Sequence, residues 1–365
     1  MLLLSYLLQL CYLGLIALCI FKLRRWNFKD IPSTKTPTKF SILIPFKNEA
    51  NRINALLNSL DEIDYSKNEF EVIFINDHST DQSVEVIQTK LKDSPLDFKI
   101  INQTVSKSGK KSALILGVNR AKYEYILTTD ADCYLPEQLL TDYSNQFLKS
   151  DAHLIFGPVS CVEQNSFWKN FQYYDFLAIQ AITKASCLFG QPVSCNAANM
   201  AYRKDSFKNL KPYQTNLEIA SGDDHFLLEK FDQHNLIIQY LNTKQVVTTL
   251  PCENFKSLLN QRKRWFGKSK HSKDKTANRL NIILFLGHIN LILALVLVLF
   301  QVMSIMVFSA FIIGKVLVDV NLIMSFSKPY HLSLCMRKLL KISLIYPFLL
   351  LAFGLSLFNN KYIWK

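Results

Sequence analysis

No two of the eight cysteines are spaced as paired metal ligands, which excludes a structural metal site built on cysteine pairs and leaves reduced, structural thiols as the expectation. Internal repeats and low-complexity linkers are also missing, so a repeat architecture is excluded. Acidic residues are scarce, 29 Asp and Glu against 42 Lys and Arg, for a net charge of +13. Much of that excess lies in Lys256–Arg279, directly before a long apolar stretch, and no nucleic-acid-binding module accompanies it. Anionic lipid headgroups are therefore the expected partner of these basic residues, at about 1 kcal/mol each near the surface, and nucleic acid is not. The apolar run Leu2–Phe21 lacks the marks of a cleaved signal peptide, since no positive charge precedes it and no small-residue cleavage site follows.

What is present is hydrophobicity at both ends: 49% of the 365 residues are hydrophobic, which favours one domain plus membrane segments over two soluble domains. Leu2–Phe21 is long enough to cross a bilayer, and Lys22, Arg24 and Arg25 after it place the following domain in the cytoplasm. Ile282–Phe326 suits two crossings with a turn near Gln301–Ser304, and Leu339–Phe358 suits another. The expected organisation is an anchor over 1–22, a tether over 23–39 with Pro32–Thr38 at its centre, and a cytoplasmic domain over 40–275. Two membrane helices over 280–326, a basic cytoplasmic loop over 327–341 and a last membrane helix over 339–358 complete it, as an integral protein of the plasma (inner) membrane. Lys315 and Asp319 sit four apart on one helical face and are expected to pair in the membrane or at its edge.

Between the hydrophobic ends, short apolar strands alternate with amphipathic helices: Phe40–Pro45, then Ile53, Leu56, Leu57 and Leu60, then Phe70–Ile75, then Val84, Ile87 and Leu91. That alternation predicts an α/β domain with a mostly parallel sheet, in which ligands bind beyond the carboxyl ends of the strands. Tyr125-Ile-Leu-Thr-Thr-Asp130-Ala-Asp132 reads as an interior strand delivering two carboxylates to its own tip. Such a pair suits a hard divalent cation, Mg²⁺ or Mn²⁺, held together with substrate phosphates. Acidic pairs after strands also serve as plain turn residues or helix caps, so the pair alone does not decide.

Four ordered motifs, Ser41-Ile-Leu-Ile-Pro45-Phe-Lys-Asn-Glu49-Ala, Glu71-Val-Ile-Phe-Ile-Asn-Asp77-His-Ser-Thr-Asp81, Ser221-Gly-Asp223-Asp224 and Gln261-Arg-Lys-Arg264-Trp265, join the Asp130-Ala-Asp132 segment, and together they resemble the family 2 glycosyltransferases of the membrane-attached branch. The resemblance covers roughly residues 40–270 and implies a GT-A fold, a mostly parallel central sheet flanked by helices, with transmembrane helices at both ends. It implies a nucleotide-diphosphate sugar, UDP- or GDP-linked, with Asp77 at the nucleotide base, Pro45 and Glu49 on the donor side, and Asp132 and Asp130 as ligands of the cation. The rival for Asp77 is a turn cap before Ser79-Thr80. Lys107-Ser-Gly109-Lys110-Lys111-Ser-Ala-Leu-Ile-Leu-Gly117 matches the family pattern G-K-x-x-A-L-x-x-G, so Lys110 is expected near the diphosphate at a helix N-terminus, whereas Lys107 and Lys111 read equally as solvated lysines.

By the same resemblance Asp224 is the general base, with Asp223 beside it where the family usually has glutamate; helix capping is the alternative for both. Gln261, Arg264 and Trp265 are placed on the acceptor and diphosphate side, against the alternative of an interfacial Trp/Arg belt. Val193–Arg203 resembles the stretch that usually reads N-G-A-N, with Ala197 in place of the glycine. The expected activity is inverting sugar transfer to a lipid-linked or membrane-surface glycan acceptor. The rivals are a processive polysaccharide synthase and a non-catalytic sugar-nucleotide-binding scaffold, since fold alone does not fix function.

Overall fold

The computed structural model describes residues 1–28, 37–104, 109–219, 221–269 and 271–356. Residues 29–36 of the expected tether, Lys107 and residues 357–358 of the last expected membrane helix lie outside the described residues. The chain divides into two compact units: a sheet unit of residues 28–162 and 194–250, and a helical unit of residues 1–27, 163–193 and 251–356. The continuous domain expected over 40–275 is thus interrupted, because residues 163–193 and 251–275 pack with the helical unit.

The strands of the sheet unit are β1 (Phe40–Phe46), β2 (Phe70–Asn76), β3 (Phe98–Asn102), β4 (Tyr125–Thr128), β5 (Cys133–Tyr134), β6 (Leu154–Phe156), β7 (Val159–Cys161), β8 (Met200–Arg203), β9 (Ile238–Tyr240) and β10 (Val247–Thr249). Seven form one sheet in the order β3-β2-β1-β4-β8-β6-β9, and β5-β10-β7 form a second. The pairs β3-β2, β2-β1, β1-β4 and β6-β9 are parallel, and β8 runs antiparallel to both its neighbours. Every residue of β1 is buried, which is why its sequence is a continuous apolar run without alternation. Because the chain moves outward from β1 to β3 and returns to β4 on β1's other side, strand order reverses there, and the carboxyl ends of β1 and β4 flank a switch point.

The helices of the chain are α1 (Leu2–Arg25), α2 (Asn54–Glu62), α3 (Ser83–Leu91), α4 (Lys110–Arg120), α5 (Leu139–Lys149), α6 (Phe167–Leu188), α7 (Lys204–Leu210), α8 (Asp223–Gln233), α9 (Phe255–Ser269), α10 (Lys275–Leu299), α11 (Ile305–Ser327) and α12 (Met336–Ser356). On α2 the helically spaced Leu56, Leu57 and Leu60 are fully buried with Ile53, the apolar stripe read from the sequence. Gly117 lets α4 lie close on the sheet, since a Cβ there would meet Ile75 Cδ1 at 3.0 Å and Leu43 Cδ1 at 3.1 Å.

In the helical unit α1, α10, α11 and α12 are each long and apolar enough to cross a membrane. The expected turn between α10 and α11 is present: Gln301 has φ +58° and the Ser304 hydroxyl caps α11 by accepting from Val307 N. Lys315 pairs with Asp319 as expected. The same carboxylate also accepts from Ser343 Oγ at 2.8 Å and from Tyr12 OH at 2.5 Å, so one ion pair joins α1, α11 and α12. Nearby, Gln9 Nε2 donates to Phe311 O at 3.1 Å and Asn290 Nδ2 to Ser5 O at 3.0 Å. Interhelical hydrogen bonds of this kind hold apolar helices together where lipid offers no hydrophobic drive. Gly287 lies against the Tyr12 ring, which leaves no room for a Cβ.

Candidate active site

The carboxyl edge of the sheet is where the chemistry-bearing side chains gather. Strand register sets Phe46, Asn76 and Asn102 side by side at the ends of β1, β2 and β3, so the turns that follow share one edge. The two turns after β1 and β2 are laced together: Thr80 N donates to Asn48 Oδ1 at 2.8 Å, Asn48 N to Ser79 Oγ at 3.1 Å, Ala50 N to Asp81 Oδ2 at 3.1 Å and Glu49 N to Ser83 Oγ at 2.8 Å. Ser79 N donates to Asn76 Oδ1 at 2.9 Å. Asn76 and Asn48 thus accept from Ser79 N and Thr80 N, the turn-capping bonds that were the rival role for Asp77. Asp77 itself is fully buried, with Oδ1 3.2 Å from His78 Nδ1 and Oδ2 without a hydrogen-bond partner. A desolvated carboxylate oxygen with no donor is costly.

Pro45 is buried in β1 opposite Ile75, and Glu49 is half-buried in the following turn, where its carbonyl accepts from Arg52 N and Ile53 N. Both lie beside Asp77's position at this edge.

Asp130 and Asp132 follow β4 on the other side of β1. One carboxylate oxygen of each and the Cys133 sulfur lie within 4.8 Å of one another. Burial, with the charges of Asp132 and Asp130, pushes the Cys133 thiol well above its ordinary value. The two carboxylates are oxygen donors of the kind that fits Mg²⁺ or Mn²⁺ completed by phosphate and water. Asp132 is held from two sides: Arg52 Nη2 stands 2.8 Å from Oδ2, and Thr249 Oγ1 is 3.2 Å from Oδ1. The antiparallel pairing of Thr249 with Cys133 puts that hydroxyl beside Asp132.

Lys110, the first residue of α4, bridges Asp130 at 2.6 Å and Asp223 at 2.8 Å. Burial alone would lower its pKa, but the two carboxylates outweigh that and hold the ammonium above its ordinary value. Asp130 titrates higher than an ordinary aspartate, because burial together with the Asp132 and Asp223 charges outweighs Lys110. Three carboxylates, Asp130, Asp132 and Asp223, thus share two cationic side chains, Lys110 and Arg52.

Asp223 and Asp224 open α8 behind Gly222, whose φ of +91° only glycine adopts without strain. The Asp224 carboxylate accepts from His225 N at 2.7 Å, a local bond of the capping kind that orients the group. His225 lies 3.4 Å from Glu229 within the same helix.

Lys111 corrects the sequence reading. It is not a solvated lysine: only 4% of it is exposed, and its ammonium donates to Asn216 O at 2.6 Å and Ile219 O at 3.0 Å while lying 4.4 Å from the centre of the Phe226 ring. It therefore ties α4 to the loop that leads into Asp223. Tyr213 OH adds a bond of 2.9 Å to Asp223 O. Asn199 of the Asn196-Ala-Ala-Asn199 stretch is also structural, fully buried between Tyr143 OH at 2.8 Å and Pro158 O at 2.9 Å.

Gln261, Arg264 and Trp265 lie on α9 in the helical unit, so their expected place on the acceptor and diphosphate side rests on the motif alone. An ion pair on α9 is made by Arg262, which bonds Asp175 of α6 and lies 4.3 Å over the Trp265 ring. Asp175 also accepts from Tyr346 OH of α12 at 2.8 Å. Arg52, Thr249 and Arg262 were not assigned from the sequence; their ion-pair and hydrogen-bond partners are 80 or more residues away, and no local pattern marks them.

Residues 41–211 match the family described as Glycosyl transferase family 2. Among curated proteins, the chain is 33% identical over 104 residues to the poly(ribitol-phosphate) beta-N-acetylglucosaminyltransferase TarS of Staphylococcus aureus, covering 28% of this chain and 18% of that protein. It is 26% identical over 227 residues to the poly-beta-1,6-N-acetyl-D-glucosamine synthase of Staphylococcus epidermidis, covering 62% of this chain and 53% of that protein. The chain thus spans about a fifth and about half of the lengths of these two relatives. Among solved structures, the mannosyltransferase PcManGT from Pyrobaculum calidifontis, in complex with GDP-Man and Mn²⁺, matches over 98% of both chains with a TM-score of 0.60 at 17% identity. That likeness is one of fold, and the sheet flanked by helices, with apolar helices at both ends, is the GT-A arrangement.

Proposed function

This chain belongs to glycosyl transferase family 2, and on that premise we propose that it moves a sugar from a nucleoside-diphosphate sugar to a lipid-linked or membrane-surface glycan acceptor, with inversion at the anomeric carbon. One observation carries the reading. The acidic tips of separate segments, Asp130 and Asp132 after β4 and Asp223 at the start of α8, are drawn by Lys110 and Arg52 into one group of charges at the carboxyl edge of the sheet. Nothing in the packing of a plain α/β domain requires that concentration of buried charge.

The roles follow from the chemistry of each group. Asp77 receives an N–H of the nucleotide base on its unpartnered oxygen, with Pro45 and Glu49 on the same donor side. Asp130 and Asp132 hold Mg²⁺ or Mn²⁺, which when bound neutralises charge on the departing diphosphate. Lys110 brings a fixed positive charge to the N-terminus of α4, where free backbone N–H groups already favour an anion. Asp224, oriented by His225 N, takes the proton from the acceptor hydroxyl while the anomeric carbon is attacked from the face opposite the leaving group. The basic residues Lys22, Arg24 and Arg25 at the end of α1 support a cytoplasmic placement of the chemistry at the plasma membrane under this reading.

Transfer from radiolabelled UDP-, GDP- and dTDP-sugars to membrane lipid extracts, with wild type beside Asp132→Ala and Asp224→Ala, tests the proposal. Both variants should keep the wild-type far-UV spectrum and lose transfer; normal turnover by either removes that residue's role. The name of the second relative favours chain extension as an alternative, and product length separates single addition from many.

A further inference from the structure

Arg52 belongs to no motif, yet it engages the carboxylate assigned to the cation. Its Nη2 lies 2.8 Å from Asp132 Oδ2, and the two side chains are 21% and 19% exposed. The same Nη2 donates to Leu250 O at 3.2 Å. The turn that carries Arg52 is fixed through Arg52 N to Glu49 O at 2.9 Å and Ala50 N to Asp81 Oδ2 at 3.1 Å, so the guanidinium can leave Asp132 only by rotation of its own side chain. A guanidinium stays charged at every accessible pH and presents a planar fork that fits carboxylate and phosphate equally.

We propose that Arg52 is a built-in competitor for Asp132 that couples cation binding to donor binding. A divalent ion must take over Asp132 lone pairs that now accept from the guanidinium, and must tolerate that charge nearby, so the ion alone binds weakly. A diphosphate offers the guanidinium another anion, relieves that repulsion, and so raises the ion's affinity; by linkage the ion raises the diphosphate's affinity by the same factor. The proposal rests on the reading that Asp132 holds the cation.

The test is Mn²⁺ titration by electron paramagnetic resonance on the full chain in detergent, first with Mn²⁺ alone and then with UDP present. Arg52→Met and Arg52→Gln should bind Mn²⁺ alone on the order of fivefold more tightly than wild type, as expected from losing one partly shielded competing ion pair. UDP should then improve Mn²⁺ binding less than it does in wild type, while Arg52→Lys, which keeps the charge, should stay near wild type. Unchanged or weaker Mn²⁺ binding in the folded Met and Gln variants overturns the proposal. Wild-type Mn²⁺ binding by Asp132→Ala overturns the cation assignment under the proposed function as well, so the two failures are distinguishable.

Discussion

Replacing Lys111 by methionine keeps most of the side-chain volume and removes only the ammonium. The structure sets the cost. Two bonds from a charged donor to backbone carbonyls, at 2.6 Å and 3.0 Å, are lost, and each such bond contributes about 1.5–3 kcal/mol. The contact with the Phe226 ring at 4.4 Å adds about 0.5–2 kcal/mol. Against this, the variant no longer buries a charge, which returns several kcal/mol. The net loss should be about 2–4 kcal/mol, or roughly 5–15 °C in the melting temperature of a unit of this size. Thermal unfolding of the full chain in detergent, followed by tryptophan fluorescence, measures it. Because the freed loop leads into Asp223, transfer should also fall by one to two orders of magnitude below the melting temperature, with UDP affinity nearly unchanged, and Lys111→Arg should restore part of both. A shift of less than about 2 °C together with wild-type transfer would show that Lys111 is ornamental and that the loop is held by other contacts.

Glu71 gives a pH dependence. Burial alone would raise its pKa, but Lys99, Ser41 Oγ and Lys122 N together hold it below the ordinary glutamate value. The stability it adds is therefore complete above the ordinary range, about pH 4.3, and lost as pH falls through the lower folded value. In urea unfolding, Glu71→Gln should be less stable than wild type at pH 7, with the gap closing in acid; a gap that is constant with pH refutes the assignment. In the helical unit, Lys315→Met or Asp319→Leu alone leaves a buried charge without its partner and should cost about 3–5 kcal/mol, whereas the double variant should cost much less. Thermal aggregation in nanodiscs would reveal the pattern, and additive losses would argue against the pair.

The sheet edge was legible because strand ends are a local property. Apolar runs closing in Asp77 and in Asp130-Ala-Asp132 predict carboxylates at one edge once the sheet is parallel, and the register of β1, β2 and β4 puts them there. The Lys315–Asp319 pair was legible for the same reason, being four residues apart on one helix. Partners from distant segments were not. Arg52 meets Thr249's neighbour Leu250 across 198 residues, and Lys111 meets Asn216 across 105, through loops whose path no spacing rule fixes. The same holds for α6, whose Asp175 is paired by Arg262 and Tyr346 in the helical unit although the segment lies inside the stretch expected to form one domain.

The hydrogen bonds of α1 have a consequence for biosynthesis. Gln9 and Tyr12 leave the ribosome well before the groups that satisfy their side chains, the Phe311 carbonyl and Asp319, which are made 302 and 307 residues later. At about 5–20 residues per second the wait is roughly 15–60 s. During that interval a nascent α1 carries a polar stripe that hydrocarbon cannot satisfy. The segment is thus no generic hydrophobic anchor: exchanging it for an unrelated one of equal length would still tether the chain while leaving three later helices without the polar seam they close upon.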